Sequence, residues 1–247
     1  MAKWHNGIVV EKRCWTDDLI SLKIDAPLGQ FEAGQFVRVG LEIDGEIVAR
    51  PYSLVNAPSE SVLEILFNIV PEGPLSPRLS ELQEGDDVLV ATNPTGFLTV
   101  SEVPETTNLW MLATGTAIGP FLSILKGTEV WQRFERIVLC YSVRTEAELA
   151  YAQSIAELAG LHPAQLCFVP IITREEIADA LHIRIPLAIT SGELESRAGI
   201  SLSADNSHVM LCGSKEMIED VSAVLEARDM QKHRRREPGH FTIEKYH

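Results

Sequence analysis

The stretch Ala49-Arg50-Pro51-Tyr52-Ser53-Leu54 places an arginine, an aromatic ring and a hydroxyl group within four residues. It lies in an apolar run that predicts a β-strand, and because side chains alternate between the faces of a strand, Arg50 and Tyr52 share one face. A guanidinium group binds phosphate bidentately, and a neighbouring tyrosine ring can cover a flat heterocycle. The stretch therefore suits a dinucleotide, although these residues also fit an exposed arginine beside a half-buried tyrosine on an ordinary strand.

Six apolar segments, separated by turn residues, occupy the first 100 residues, and Asp44-Gly45 between two of them is a strong hairpin signal. Short strands with regular turns predict a small antiparallel β-barrel. The six segments are residues 7–10, 19–24, 36–41, 47–55, 62–70 and 88–91.

One predicted helix, residues 75–82, interrupts these strands. Ser76 is the predicted N-cap, with Pro77 at the first helical position and apolar residues at 79 and 82. Free amides at a helix N-terminus can hold a phosphate. The sequence leaves two interpretations open, a phosphate site and a simple capped helix between two strands.

The pattern changes after a polar segment, residues 101–108. Apolar runs and helical stretches then alternate, which predicts a parallel sheet with helices on both faces. The runs are residues 109–113, 136–140, 165–172 and 208–212, and the helical stretches include 118–125, 146–158 and 216–228. We therefore expect two domains, an antiparallel β-barrel over residues 1–100 and an α/β parallel-sheet domain over residues 101–247.

The composition limits the classes of function. A formal net charge of −14 argues against general nucleic-acid binding, which needs a basic face. The four cysteines are far apart and match no zinc or iron–sulfur spacing, so we expect no metal site and a cytoplasmic protein with reduced thiols. We expect no signal peptide, because no apolar segment follows the first residues, and no membrane span, because the apolar runs are too short to cross a bilayer.

Two strand-to-helix turns are candidates for ligand contact, because ligands of such sheets bind outside the carboxyl ends of the strands. The first contains Gly115, Thr116 and Gly119 and matches neither a dinucleotide-binding fingerprint nor a phosphate-binding P-loop. The second contains Cys212 and Gly213, whose missing side chain would let a ligand approach the backbone. Cys212 is either a core thiol or a contact to a nicotinamide.

Three arginines form the next candidate group. Arg144 and Arg174 follow two predicted parallel strands, and Arg184 lies ten residues further on, in an otherwise acidic protein. A 2′-phosphate on an adenosine ribose suits such positions, whereas an NAD site more often places an acid there. The alternative is three solvated arginines. The chain then ends on an alternating, ring-bearing pattern, residues 238–247, which suggests a docked terminus rather than a frayed tail.

Together these segments resemble the bacterial ferredoxin/flavodoxin–NADP⁺ reductases over nearly the whole chain. The resemblance rests on the order and spacing of Arg50-Pro-Tyr52-Ser53, Leu75-Ser76-Pro77-Arg78-Leu79, Ala113-Thr-Gly115-Thr-Ala-Ile-Gly119-Pro120, Cys212-Gly213-Ser214 and Glu244-Lys-Tyr246. It implies an FAD-binding barrel followed by an NADP-binding α/β domain, whose C-terminal tail returns to the flavin. It also implies an enzyme that exchanges hydride with NADP(H) and single electrons with ferredoxin or flavodoxin.

The resemblance assigns the barrel residues to FAD. Arg50 would hold the pyrophosphate, Tyr52 would stack on one face of the isoalloxazine, and Ser53 would lie near flavin N5. The backbone of Leu75 and Ser76 would bind the phosphates.

The other implied contacts come from the second domain. Thr116 would lie between flavin and nicotinamide, and Tyr246 would cover the other flavin face. His247 occupies the position of an aromatic that stacks on the FAD adenine, although an imidazole offers less area. The implied NADP-binding residues are Gly115, Thr116, Arg144, Arg174, Arg184, Cys212 and Gly213. The implied catalytic residues are Ser53, Glu244 and Tyr246.

The family docks acidic electron carriers, and the basic cluster Lys232-His-Arg234-Arg235-Arg236 is a candidate surface for one, because opposed charges speed association. A solvated loop is the alternative. We expect a monomer. Two other functions stay open at this point: the reductase of an oxygenase, which usually carries an iron–sulfur domain, and a flavin-binding subunit without NADP activity.

Overall fold

The computed structural model describes residues 3–245 and divides them into two compact units. The barrel unit runs up to Thr99 and includes Gly119–Gly127. The sheet unit contains Val100–Ile118 and the described chain from Thr128 onward. The two domain ranges expected from the sequence pattern, 1–100 and 101–247, remain a prediction.

The barrel unit contains six antiparallel strands in the order β4-β3-β6-β1-β2-β5. Leu54, directly after β4, pairs with Ile65 of β5, and the Val55 amide donates to the Glu64 carbonyl at 2.9 Å, so the two ends of the order meet. The predicted antiparallel barrel is confirmed. The strands are β1 (Trp4–Cys14), β2 (Leu19–Asp25), β3 (Phe36–Ile43), β4 (Glu46–Ser53), β5 (Leu63–Asn68) and β6 (Asp87–Ala91).

Local sequence explains two of the connections. Asp44 and Gly45 have φ of 53° and 83°, the left-handed pair that a two-residue hairpin turn requires, so this prediction is confirmed. The predicted N-cap at Ser76 is wrong. Helix α1 spans Ser76–Glu81 with Leu75 as its cap, because the Ser76 hydroxyl instead accepts a hydrogen bond from the Val70 amide at 2.9 Å.

The barrel interior is filled by apolar residues of β1, β2, β3, β5 and β6 and of the segment around α1, with Val48 and Tyr52 of β4 partly buried against them. Helix α2 (Ile118–Lys126) packs on this unit from residue 119 onward, where the Ser123 hydroxyl donates to the Asn56 carbonyl at 2.6 Å. The interior residues include Val9, Leu22, Ile24, Val37, Val39, Leu54, Ile65, Phe67, Leu75 and Val90.

The sheet unit contains five parallel strands in the order β11-β10-β7-β8-β9, as the alternating pattern predicts. Every residue of the neighbouring strands 108–114 and 207–213 is buried except Thr114, which is half-buried; such burial is typical of a parallel sheet covered on both faces. The strands are β7 (Asn108–Thr114), β8 (Arg136–Val143), β9 (Leu166–Ile172), β10 (Ser207–Gly213) and β11 (Phe241–Lys245).

The helices of this unit differ from the prediction in detail. The predicted helix 146–158 is split into a 3₁₀ turn, Glu146–Glu148, and helix α4, Ala152–Leu161, because Tyr151 adopts a left-handed φ of 61° between them. Three of the helices are only five or six residues long, which is too short for a clear apolar period. The remaining helices are α3 (Glu129–Arg133), α5 (Ile185–Thr190), α6 (Glu193–Ala198) and α7 (Lys215–Glu226).

Candidate functional site

Arg50 and Tyr52 lie on one face of β4, as the strand pattern predicts. Arg50 is exposed, and its Nη1 donates to the Ala49 carbonyl at 2.9 Å. Tyr52 is half-buried and packs edge-on against Phe67 with ring centroids 6.0 Å apart. Burial raises the pKa of the Tyr52 phenol to about 12, against the opposing effect of the Arg50 charge. The ring is therefore neutral at physiological pH, and a cation lies beside it.

Ser53 ends β4 and is buried, with 5% of its surface exposed. The backbone of Gly119, in α2, packs directly on it: a β-carbon at Gly119 would lie 3.8 Å from the Ser53 β-carbon and 3.3 Å from Val55 Cγ2. Gly119 thus lets the start of this helix approach the end of β4.

Leu75 and Ser76 belong to the same unit as Arg50. The Leu75 side chain is 1% exposed and shares the barrel core with Phe67 and Tyr52. The Ser76 hydroxyl is engaged by the Val70 amide. The hydroxyl thus accepts one hydrogen bond within the unit, and the family pattern implies that the pair would meet a phosphate through backbone amides.

In the sheet unit, the turn after β7 and the end of β10 lie side by side. Ala113 pairs with Cys212, and Cys212 pairs with Glu244 of β11. Cys212 is fully buried, and its Sγ lies 4.0 Å from Glu244 Oε1. The structure thus brings together at one sheet edge the predicted residues Gly115, Thr116, Cys212, Gly213 and Glu244.

Arg144 and Arg174 also lie at this edge, directly after the adjacent strands β8 and β9. The Arg174 amide donates to the Arg144 carbonyl at 2.9 Å, so the two turns are hydrogen-bonded to each other. Two carboxylates brace the same turns: Glu148 Oε2 accepts from the Arg144 amide at 2.8 Å, and Glu175 Oε2 accepts from the Glu146 amide at 2.6 Å. Both guanidinium-bearing residues are exposed on a braced backbone.

Arg184 is placed near β9 by the segment that precedes it, which is hydrogen-bonded to the end of that strand. It is the N-cap residue of α5 rather than a residue that follows a strand. The segment before it is held to the end of β9, because the Ile172 amide donates to the Leu181 carbonyl at 2.8 Å and His182 Nδ1 lies 3.1 Å from the Ile172 carbonyl. Arg184 is exposed.

The basic cluster forms a tight reverse turn ahead of β11. Arg234 and Glu237 exchange backbone hydrogen bonds of 3.0 and 2.9 Å. Arg235 donates through Nε and Nη2 to Glu102 Oε1, at 3.0 and 2.8 Å, so one arginine anchors the turn. Arg236 is exposed. Tyr246 and His247 lie outside the described residues.

Two oxidoreductase domain families match the chain. Residues 8–99 match the oxidoreductase FAD-binding domain, and residues 111–223 match the oxidoreductase NAD-binding domain. The flavodoxin/ferredoxin–NADP reductase of Escherichia coli K12 is 47% identical over 247 residues, which cover all of both chains. The chain belongs to the flavodoxin/ferredoxin–NADP reductase family.

Other members of the flavodoxin/ferredoxin–NADP reductase family agree over the full length. The ferredoxin–NADP reductase of Pseudomonas aeruginosa is 34% identical over 255 residues, covering 99% of this chain and 98% of its own. The crystal structure of a ferredoxin NADP⁺ reductase from Neisseria gonorrhoeae with bound FAD and NADP superposes with a TM-score of 0.94, at 33% identity and with 99% of each chain covered. The predicted family, fold class, enzyme class and cofactors, FAD and NADP, are confirmed.

The remaining features of this reductase are a cavity, the grouping of its potential metal ligands and the lengths of its helices. A cavity of about 520 Å³ on the barrel unit lies between loops 28–31 and 58–61, and none of the predicted site residues lines it. Within residues 3–245, no three His, Cys, Asp or Glu side chains are grouped to hold a metal ion. In the same range, no helix is long and apolar enough to cross a bilayer.

Sequence reasoning missed Glu148, Glu175 and Thr114. Glu148 had a signal, since Thr145-x-x-Glu148 is a capping-box pattern and the structure forms both of its hydrogen bonds. Glu175 and Thr114 act across turns that lie far apart in sequence, and no local pattern marks them.

Proposed function

We propose that this chain uses bound FAD to exchange hydride with NADP(H) and single electrons with ferredoxin or flavodoxin. Family membership supports the reaction class. The observation that carries the coenzyme assignment is the pair Arg144 and Arg174, exposed at adjacent strand ends and hydrogen-bonded to each other through their turns. Two cations at this position suit a 2′-phosphate, because a guanidinium group binds phosphate oxygens bidentately. Arg184 is proposed as a third contact.

The barrel unit fits FAD in charge and shape. Arg50 offers an exposed guanidinium group for the pyrophosphate, and the neutral, half-buried Tyr52 ring offers a flat surface for one face of the isoalloxazine. Leu75 and Ser76 are proposed to contribute backbone amides to the phosphates. When bound, FAD supplies the chemistry that converts a hydride into single electrons. The residues of the chain bind it, orient it and exclude water.

The nicotinamide is proposed to bind where the β7 and β10 turns meet. Gly115, Thr116, Cys212 and Gly213 would contact it there, and Thr116 would also contact the flavin. Ser53 and Glu244 are proposed as catalytic residues that orient the reacting groups. Because Glu244 lies next to Cys212 in the β10–β11 pair, its carboxylate belongs to the same sheet edge.

Tyr246 is proposed to cover the second flavin face and to yield that place to the nicotinamide, with His247 at the adenine end. Removal of Tyr246 and His247 is expected to strengthen the charge-transfer absorbance that NADP⁺ produces with the reduced flavin of the holoenzyme. An unchanged absorbance would refute the role of Tyr246 as an occupant of the nicotinamide position.

The acidic carrier is proposed to dock on the reverse turn that contains Arg234, Arg235 and Arg236. Arg235 is tied to Glu102 and would shape the turn, whereas Arg236 is exposed and available to a partner carboxylate. Opposed charges would raise the association rate more than the final affinity. A monomeric state and a cytoplasmic location stay predictions from the sequence.

The direct test is the visible spectrum of the purified protein under anaerobic conditions. We expect a yellow protein whose flavin absorbance is bleached by NADPH and restored by an oxidised flavodoxin or ferredoxin. A protein that stays yellow with NADPH would contradict the proposed hydride exchange. If NADPH bleaches the flavin but neither flavodoxin nor ferredoxin reoxidises it, the carrier assignment is wrong and the coenzyme assignment is unaffected.

A further inference from the structure

Thr114 connects the two turns of the proposed nicotinamide site. It is the last residue of β7, and its Oγ1 accepts a hydrogen bond from the Ser214 amide at 3.3 Å. Ser214 directly follows the neighbouring strand β10. The bond therefore joins two turns that are 100 residues apart in sequence.

The backbone of Gly213 accommodates this hydroxyl. A β-carbon built at Gly213 would overlap Thr114 Oγ1, at a separation that real β-carbons do not reach, and would lie 2.6 Å from Met217 Cε. The Met217 methyl group is the end of a flexible side chain and can move away. The Thr114 hydroxyl is held on a short, β-branched side chain and cannot. Glycine at 213 and threonine at 114 are thus sterically matched.

The contact sets the geometry of both turns. On one side, Thr114 precedes Gly115, whose φ of +56° starts the turn that carries Thr116. On the other side, the Ser214 hydroxyl caps helix α7 by accepting from the Met217 amide at 3.3 Å. The Thr114 hydroxyl therefore holds the Thr116 turn at a defined distance from the Gly213 turn and the helix behind it.

We infer that Thr114 is a positioning residue for the nicotinamide of NADP(H), acting through Gly115–Thr116 and Gly213–Ser214. The inference rests on the proposed function of these turns. Without the hydroxyl acceptor, the two turns lose the bond between them, and the bound nicotinamide is held less well in its reactive orientation. Since orientation governs the hydride step more than ground-state binding, the rate at saturating coenzyme should fall more than the affinity.

The test compares Thr114→Val, which keeps the side-chain shape, with Thr114→Ser, which keeps the hydroxyl. Both are made in the full-length holoenzyme. We expect Thr114→Val to slow single-turnover flavin reduction at saturating NADPH by about five- to tenfold, the effect of one lost hydrogen bond. The dissociation constant for NADP⁺ should change less, and the FAD spectrum should be unchanged. Thr114→Ser should restore the rate.

A loss of rate in Thr114→Ser as large as in Thr114→Val would overturn the inference, and so would a wild-type rate in Thr114→Val. The wild-type protein tests the proposed function separately. If NADPH does not bleach its flavin, the proposed function is wrong. If NADPH bleaches it and the Thr114 variants are reduced at the wild-type rate, only the role of Thr114 is refuted.

A second measurement uses the steric match. Gly213→Ala should impair flavin reduction, and Thr114→Ala in the same chain should recover part of that loss, because it removes the oxygen that the new methyl group meets. Recovery supports a direct contact between the two residues. Additive losses in the double variant would contradict it.

Discussion

Acid is expected to destabilise the sheet unit through one buried histidine, His208. It is 1% exposed, its Nε2 lies 2.8 Å from Thr242 Oγ1 on β11, and the ring of His233 meets it edge-on at 5.9 Å. The pKa of His208 is lowered to about 3, chiefly by burial, with electrostatic contributions from His233, His240 and Arg133 and against a backbone hydrogen bond to Gly239 that raises it. The perturbation is His208→Gln, which keeps a hydrogen-bonding group that does not titrate.

The magnitude follows from proton linkage. The folded-state pKa of His208 lies below its unfolded value of 6.5, so the histidine takes up a proton when the chain unfolds. Above pH 6.5 the ring is neutral in both the folded and the unfolded state, so it does not make the free energy of unfolding depend on pH. As the pH falls from 6.5 toward 3, the unfolded state binds the proton and the folded state does not, so the free energy of unfolding falls. Between pH 7 and pH 5 the loss amounts to about 2 kcal/mol, at 1.36 kcal/mol per pH unit.

The assay is urea unfolding of the holoenzyme, followed by far-ultraviolet circular dichroism at pH 5, 6, 7 and 8. The free energy of unfolding of the wild type should fall between pH 7 and pH 5 by about 2 kcal/mol more than that of His208→Gln. His5→Gln, on β1 of the barrel unit, is the matched histidine control, because it leaves His208 and its surroundings unchanged. Equal slopes for wild type and His208→Gln would contradict this prediction, because the histidine would then bind no extra proton on unfolding.

Three other predictions concern the proposed site. Arg144→Ala combined with Arg174→Ala should reduce the kcat/KM preference for NADPH over NADH on the order of 100-fold, because two charge-assisted contacts are lost. The control variant Arg197→Ala on α6 should keep the preference. A preference that survives the double substitution rules out the phosphate assignment. Arg236→Glu should slow carrier reduction about tenfold at low salt and much less at about 1 M salt, where screening is nearly complete; an effect equal at both salt concentrations would count against electrostatic docking. Ser53→Ala should slow single-turnover hydride transfer about five- to tenfold without loss of FAD, and unaltered rates would exclude a catalytic role.

Much of the fold was predictable because local sequence patterns specify its strands and turns. Asp44-Gly45 predicts its hairpin, since few residue pairs adopt two left-handed conformations in succession. The buried aliphatic runs around Leu112 and Leu211 predict parallel strands, since both faces of such strands are covered. Where a pattern failed, a specific contact overrode it: Ser76 has the composition of an N-cap, but its hydroxyl is taken by the Val70 amide.

The candidate site was predictable in part. Arg144 and Arg174 could be placed at strand ends from their spacing alone, because parallel strands end at the same edge of a sheet. Arg184 could not, since it reaches that edge through the Leu181 contact with β9. The role of Glu175 could not be predicted either, because its hydrogen-bond partner, the Glu146 amide, lies in a different turn.

Local sequence patterns are enough to establish the class of protein, a barrel followed by a parallel sheet, and the residue types that meet a phosphate and a flat ring. These properties depend on periodicity and turn chemistry within a few residues. The matching of distant turns becomes visible only in the folded chain, as in the hydrogen bond from Ser214 to Thr114 and the ion pair of Arg235 with Glu102, 133 residues apart. Such contacts depend on which strands become neighbours, and that is decided by burial over a whole unit rather than by any local pattern.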